Sequence, residues 1–182
     1  KIKRKSSGLD LYYGGESEFF DYDKVILATH ADEALKLIEK PSQEEIKILS
    51  NFKYKENIAY IHFDENIMPK NRKNWCSWNS SVDKDNINNN SVTYWLNLLQ
   101  NLKIDKNIFL TLNPYQNINK EKIYQKVVFT HPYYDVNALT NQKNLSTIQN
   151  KDNILFCGSY FGYGFHEDGI KSSLNMIEHL ND

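Results

Sequence analysis

The chain has 182 residues, 40% of them hydrophobic and 25% charged, enough apolar material for a buried core and too much for a disordered tail. Its 22 basic and 23 acidic residues leave a formal net charge of −1, which excludes a global electrostatic attraction to nucleic acid or to an anionic membrane. The two cysteines, Cys76 and Cys157, form no CxxC pair, so neither a disulfide framework nor a zinc ribbon is expected. No apolar run approaches the roughly 18 residues of a membrane span, and no signal-peptide pattern opens the chain, so a cytoplasmic protein is expected. The first residue is Lys1, not Met, and an upstream part is expected to be missing.

The first thirty residues read as a β-meander. Short strand-like runs (2–4, 9–13 and 17–20) are separated by Ser6-Ser7-Gly8 and by Gly14-Gly15, both natural turn chemistry. Val25-Ile26-Leu27-Ala28-Thr29 is a continuous apolar run of the kind found in strands buried on both faces, usually in a parallel sheet. Ala34, Leu35 and Ile38 carry helical spacing over residues 31–39, and Pro41 ends that helix. Ser42-Gln43-Glu44-Glu45 forms a capping box for a second helix, with Ile46 and Leu49 on its buried side.

The middle is β-rich. Residues 58–63, 75–79, 92–98, 108–112 and 123–129 carry the aromatic and β-branched bias of strands, with an Asn-rich surface loop over 83–90. His131-Pro132 must be extended or turning, and 136–148 is weakly helical. Ile154-Leu155-Phe156-Cys157 then forms a short strand that enters a loop with glycines at 158, 162 and 164. After His166-Glu167-Asp168-Gly169 comes a helix with Ile170, Leu174, Ile177 and Leu180 on one face.

Strand, glycine-rich loop and helix N-terminus suit an anionic or electron-rich ligand. Glycine removes the Cβ that blocks close approach, and the free amides of the first turn carry partial positive charge. The plain alternative is that these glycines are turn residues and that Asp168 is an N-cap. The five histidines (His30, His62, His131, His166, His179) show no HxH or HxxxH pair, so no metal site is expected. Cys157 reads as a small buried thiol; a nucleophile paired with His166 is the remote alternative. The 12 Tyr, 9 Phe and 3 Trp exceed what a small core needs. Most are core, and a second reading is an aromatic cavity for an apolar substrate, with Trp75, Trp78, Tyr94, Trp95 and Tyr160 as candidates. Within a strand, Tyr94 and Trp95 point to opposite faces.

Several blocks together resemble one family. They are the run Val25 to Asp32, Met68-Pro69, Trp75-Cys76-Ser77-Trp78-Asn79, Thr93 to Gln100, Thr111-Leu112-Asn113-Pro114 and His131-Pro132. Above all there is Cys157-Gly158-Ser159-Tyr160 with Gly162-Tyr163-Gly164-Phe165-His166-Glu167-Asp168-Gly169. Over nearly its whole length the chain resembles the C-terminal half of the flavin-containing amine-oxidase-like proteins, a group described as NAD/FAD-binding and found beside cyclopropane-fatty-acid synthases in bacteria.

The resemblance implies an α/β (mixed α+β) fragment of an FAD/NAD(P)-binding, Rossmann-like amine-oxidase fold. In it, residues 1–30 belong to the FAD-binding domain, 31–150 to a substrate-binding domain, and 151–182 return to the FAD-binding domain. It also implies FAD as cofactor, held by Thr29, His30, Gly158, Ser159, His166, Glu167, Asp168, Gly169 and Ile170. By this analogy the amides of Gly169 and Ile170 face the pyrimidine edge of the isoalloxazine and favour the anionic reduced flavin, and Gly158 and Ser159 lie near the pyrophosphate or ribityl chain. The family's GxGxxG is absent here, as expected of a chain that lacks the N-terminal half. Two departures stand out: Ser159 occupies the place of an acidic residue that holds ribose or ribityl hydroxyls, a contact open to Glu167 or Asp168, and no lysine is identified near flavin N5. The implied activity is hydride transfer from an apolar, lipid-derived or amine substrate to flavin, with no catalytic acid or base assigned. The chain alone is expected to be inactive. The alternative is a non-catalytic aromatic binding module, or a relative that keeps the fold without redox chemistry.

Overall fold

A computed structural model describes residues 1–14 and 18–180. The chain opens with strands β1 (Ile2–Arg4), β2 (Leu9–Tyr13), β3 (Glu18–Tyr22) and β4 (Val25–Leu27), then helices α1 (Ala31–Leu37) and α2 (Gln43–Leu49). Strands β5 (Lys53–His62), β6 (Trp78–Val82) and β7 (Asn90–Trp95) precede the short helix α3 (Leu96–Leu99) and strands β8 (Phe109–Leu112) and β9 (Ile123–Tyr133). Helix α4 (Val136–Gln142), strand β10 (Ile154–Phe156) and helix α5 (His166–Glu178) complete the expected mixed α/β architecture. The chain divides into two compact units, Lys1–Lys55 with Pro132–Asp182, and Glu56–His131.

In the first unit β1, β2 and β3 form the expected antiparallel meander, with Arg4 opposite Leu9 and Leu9 opposite Tyr22. Gly8 makes the first turn at φ +91°, and a Cβ there would stand 2.8 Å from the Tyr22 carbonyl oxygen. The expected turn residue Gly15 and strand residue Ser17 lie outside the described residues. Helix α1 stops two residues short of the expected end, because Ile38 turns extended and bridges to Ile2 while the Glu39 amide donates to the Ile2 carbonyl.

Helix α2 carries its capping box: the Ser42 hydroxyl accepts from the Glu45 amide at 3.1 Å, and the Glu45 carboxylate accepts from the Ser42 amide at 2.6 Å. Its buried side differs from expectation. Ile46 is exposed while Glu45, Ile48 and Leu49 are inside, because the Glu45 carboxylate meets the Arg4 guanidinium at 2.5 Å and turns that face of the helix inward. The core gathers Ile2, Leu9, Ile48, Leu49, Ile148 and Phe156 with their neighbours.

β4 and β10 pair in parallel, Val25 beside Ile154 and Leu27 beside Phe156. All of β10 is buried, whereas Ile26 of β4 is 46% exposed, so only β10 has the two covered faces expected of a central strand. The two edges of this pair differ. On β10, the Gln149 carboxamide lies along Phe156 like a neighbouring strand: its Oε1 accepts from the Phe156 amide at 2.9 Å and its Nε2 donates to the Phe156 carbonyl at 2.7 Å. On β4, Val25 and Leu27 direct their backbone groups toward β10, so those of Ile26 point the other way and have no partner among the described residues.

The second unit is a five-stranded sheet in the order β6-β7-β8-β5-β9. The strand expected from Trp75 begins at Trp78. Asn71 caps a 3-10 turn over Arg72–Asn74, and Asn79 folds back to hold both the amide and the carbonyl of Cys76. β7 likewise ends at Trp95 because Asn97 reaches sideways to the Ile108 amide, and the chain curls into α3. No helix among the described residues is long and apolar enough to cross a membrane.

Candidate functional site

β10 delivers Cys157 and Gly158 to a loop that several side chains hold in place. Gly158 sits at φ +151° and ψ 170°, a conformation open essentially to glycine. A Cβ there would fall 2.8 Å from the Tyr160 ring. Its amide donates to the hydroxyl of buried Ser172 on α5 at 2.9 Å, and that hydroxyl donates on to the Gly169 carbonyl at 2.7 Å. Gln142 of α4 donates to the carbonyls of Tyr160 and Gly162, and the Tyr134 hydroxyl reaches the Ser159 carbonyl at 3.3 Å. Burial holds the Tyr134 phenol above its ordinary range, and nearby Asp168 adds to the effect.

Asp168 closes the loop. Its Oδ2 accepts from the amides of Tyr163 and Phe165, both at 3.0 Å, and Gly162 is required there because a Cβ would stand 2.4 Å from that carboxyl. This moves the helix start. The expected apolar helix over 170–180 begins at His166, so Gly169 and Ile170 lie inside it. The Gly169 amide donates to the Phe165 carbonyl at 3.3 Å, and Ile170, the fifth helical residue, falls within the i→i−4 ladder. Amides without a partner among the described residues are instead those of His166 and Glu167, one turn earlier.

A cleft of about 430 Å³ opens between the end of β4, at Ala28, and the first turns of α5. Gly158, Ser159, His166, Gly169 and Ile170 of the expected cofactor set line it together. Four of that set do not. Thr29 and His30 lie beyond the cleft, where the His30 ring stacks on Tyr54 with centroids 4.2 Å apart. Burial pushes the Tyr54 phenol up, and the Ala31 amide donates to it at 2.8 Å. Asp168 is committed to the loop amides, and Glu167 is exposed beside Lys171 at 3.8 Å, so neither carboxylate enters the cleft in place of the acid that Ser159 replaces. Sequence reading missed Ala28, Phe165 and Ser173 as cleft residues. The available signal was Gly169 and Ser173, two small residues one helical turn apart.

Cys157 is a free thiol, buried and 3% exposed, as a small core residue would be, and it borders the same cleft as His166. The aromatic candidates form no single surface. Trp78 meets Tyr94 edge-on at 5.1 Å, and Trp75 meets Trp95 edge-on at 5.3 Å on the opposite face of the sheet. The Arg72 guanidinium lies 5.0 Å from the Trp75 ring centroid, and Trp75 Nε1 donates to the Pro69 carbonyl. Tyr160, expected to face a substrate, is a core residue of the first unit, 2% exposed and packed on Phe52. Its hydroxyl has no partner among the described residues, and burial raises its pKa. Among those residues no group of three or more His, Cys, Asp or Glu could hold a metal ion.

No family model matches this sequence, and no curated protein matches it either. Solved structures do. The fold is similar to a conjugated-linoleic-acid-producing fatty acid isomerase from P. acnes, with a TM-score of 0.64 at 12% identity over 98% of this chain and 46% of that one. It is similar to a protein assigned as a protoporphyrinogen oxidase from Exiguobacterium sp. 255-15, at 0.62 and 12% over 100% and 46%. Cyclohexylamine oxidase from Brevibacterium oxydans gives 0.58 and 10% over 100% and 48%. The chain therefore has the fold of the C-terminal part of the amine-oxidase-like proteins and spans about half the length of the structures it matches.

Proposed function

We propose that this chain is the cofactor-closing and substrate-binding portion of an FAD-dependent oxidoreductase. The carrying observation is the cleft in which Gly158, Gly169 and Ser159 leave open space at the uncommitted N-terminal amides of α5. A Cβ added at Gly169 would meet only the Ser159 amide nitrogen, at 3.9 Å, and would project into that space, which suits the edge of a flat ring system. The residues present thus fit one edge of a flavin. FAD, when bound, supplies a two-electron acceptor for hydride.

This chain's own residues position and stabilise. The amide of His166, which lines the cleft at the positive end of a 13-residue helix, presents a donor to charge developing at the ligand edge. Gly158 permits close backbone approach, and the Ser172 and Asp168 hydrogen bonds fix the loop beforehand, so that donor needs no reorganisation. An apolar substrate, lipid-derived or an amine, agrees with the exposed aromatic face of Trp78 and with the fatty acid isomerase and cyclohexylamine oxidase among the similar folds. Residues 1–30 and 151–182 belong, in this reading, to the FAD-binding domain, and an N-terminal half of the same polypeptide supplies the dinucleotide site in the cytoplasm.

The test is flavin content. A polypeptide carrying an upstream strand–GxGxxG–helix joined to this chain is expected to purify with a flavin absorbance spectrum, and the 182-residue chain alone to bind FAD weakly or not at all. A colourless full-length protein that takes up no added FAD refutes the reading. Tight stoichiometric binding by the short chain refutes the claim that its site is half of a whole.

A further inference from the structure

The second unit contains a hydrogen-bond chain whose direction is fixed at one end and open at the other. His62, Thr111 and Thr93 are all at least 98% buried, on adjacent strands β5, β8 and β7. The Asp64 amide donates to His62 Nδ1 at 3.1 Å, so Nδ1 is an acceptor and the ring proton resides on Nε2. Burial depresses the histidine pKa, in agreement with this neutral tautomer. Nε2 lies 2.7 Å from Thr111 Oγ1 and donates to it. The Thr111 proton then has one acceptor among the described residues, Thr93 Oγ1 at 2.9 Å. That leaves the Thr93 hydroxyl proton to be given away.

No group among the described residues takes it. The Asn79 carboxamide is held by Cys76 and the Thr93 carbonyl, and Ser81 is paired with Ser91. Thr93 instead lines a cavity of about 300 Å³ beneath the turn at residues 66–70. Ile67, Met68 and Pro69 give that cavity an apolar wall, and Lys70, which has no ion-pair partner among the described residues, also lines it. A directed hydroxyl donor, a cation and a short apolar wall describe the head and tail of a small aliphatic acid.

We propose that this cavity binds the carboxylate of a small aliphatic acid, with the Thr93 hydroxyl as donor, Lys70 as counter-charge, and His62 and Thr111 as positioning residues that set the direction of the Thr93 proton. The site lies within the second unit and does not depend on the flavin reading, so either stands if the other fails.

The experiment is a titration of the isotope-labelled chain with sodium hexanoate, followed by amide chemical shifts, with hexan-1-ol as the neutral control. Hexanoate is expected to produce saturable shifts at Lys70, Asn79 and Thr93, which hexanol does not reproduce. Thr93→Val is expected to weaken hexanoate binding about tenfold. Lys70→Gln, an exposed change that leaves the fold intact, is expected to weaken it several-fold and to flatten its salt dependence. Absence of saturable shifts, equal binding of hexanol, or a Thr93→Val chain that binds as well as the parent overturns the proposal. Should Thr93→Val not fold, unchanged hexanoate affinity in Lys70→Gln overturns it alone.

Discussion

Gly158 and Gly169 border the same cleft, and the structure assigns them opposite responses to the same added methyl group. At Gly158 an alanine meets two obstacles. The backbone at φ +151° lies in a region that costs a side chain about 1–3 kcal/mol. The Cβ also falls 2.8 Å from the ring of Tyr160, which is 98% buried against Phe52 and cannot swing away, adding an overpacking cost of about 1–3 kcal/mol. Gly158→Ala is therefore expected to destabilise the chain by about 4 kcal/mol and to lower Tm by about 10 °C. At Gly169 the backbone is helical and the nearest atom to the new Cβ is an ordinary 3.9 Å away. Exchange of helical glycine for alanine stabilises by about 1 kcal/mol, so Gly169→Ala is expected to raise Tm by about 3 °C. The assay is thermal unfolding of the three chains by circular dichroism, with urea unfolding to confirm the free-energy differences. If Gly169→Ala destabilises, the glycine is needed by the fold and is not free for a ligand. If Gly158→Ala is neutral, the loop is not held as described. In a flavin-loaded full-length protein, Gly169→Ala is expected to lose flavin while gaining stability, a combination that a structural role alone does not produce.

Three further outcomes follow from buried polar groups. Tyr160→Phe removes a buried hydroxyl that has no partner among the described residues, and is expected to stabilise by about 1 kcal/mol in urea unfolding; a loss of 2 kcal/mol or more would mean that the hydroxyl is satisfied. The His62 imidazole is held at a pKa of about 4 by burial, below its value in the unfolded chain. Stability from the neutral ring is thus complete above about pH 6.5 and declines toward pH 4, by a total on the order of 3 kcal/mol. Unfolding free energies across that window are expected to fall in the parent and to stay level in His62→Gln; equal slopes would refute the assignment. Gln149→Leu leaves the amide and carbonyl of fully buried Phe156 unpaired and is expected to cost about 3 kcal/mol, with loss of amide-exchange protection at Phe156 as the local signature.

Much of the first unit was legible because its signals are local. The capping box at Ser42, the turn at Gly8, and the strand–loop–helix from Ile154 depend on residues a few positions apart. What could not be read depends on partners distant in sequence. Glu45 is inside because of Arg4, 41 positions away, and this displaces Ile46 to the surface. Tyr160 is inside because Phe52 receives its ring, although its place in a glycine-rich loop suggests exposure. The helix start at His166 was missed for a different reason. Periodicity sees only apolar residues, and the first turn here is polar, fixed by Asp168 turning back on two loop amides. The cleft emerged from the sequence as a loop of glycines, but which amides face it depended on that one carboxylate. The relay from His62 to Thr93 was invisible for the same kind of reason: its members lie on strands 18 and 49 residues apart.

The β4–β10 pair has a direction of growth. With Gln149 occupying the far side of β10, another strand can join only along Ile26, whose backbone groups point outward and whose side chain is 46% exposed. An unpaired edge beside apolar surface is an adhesive feature, so solubility of the isolated chain is expected to respond to a charged residue at position 26. The same geometry makes the Ile26 amide a sentinel. Its proton exchanges freely with solvent while the edge is open and becomes protected once a strand is laid against it. A single resonance thereby reports whether the sheet has been completed, by a covalent neighbour or by another molecule.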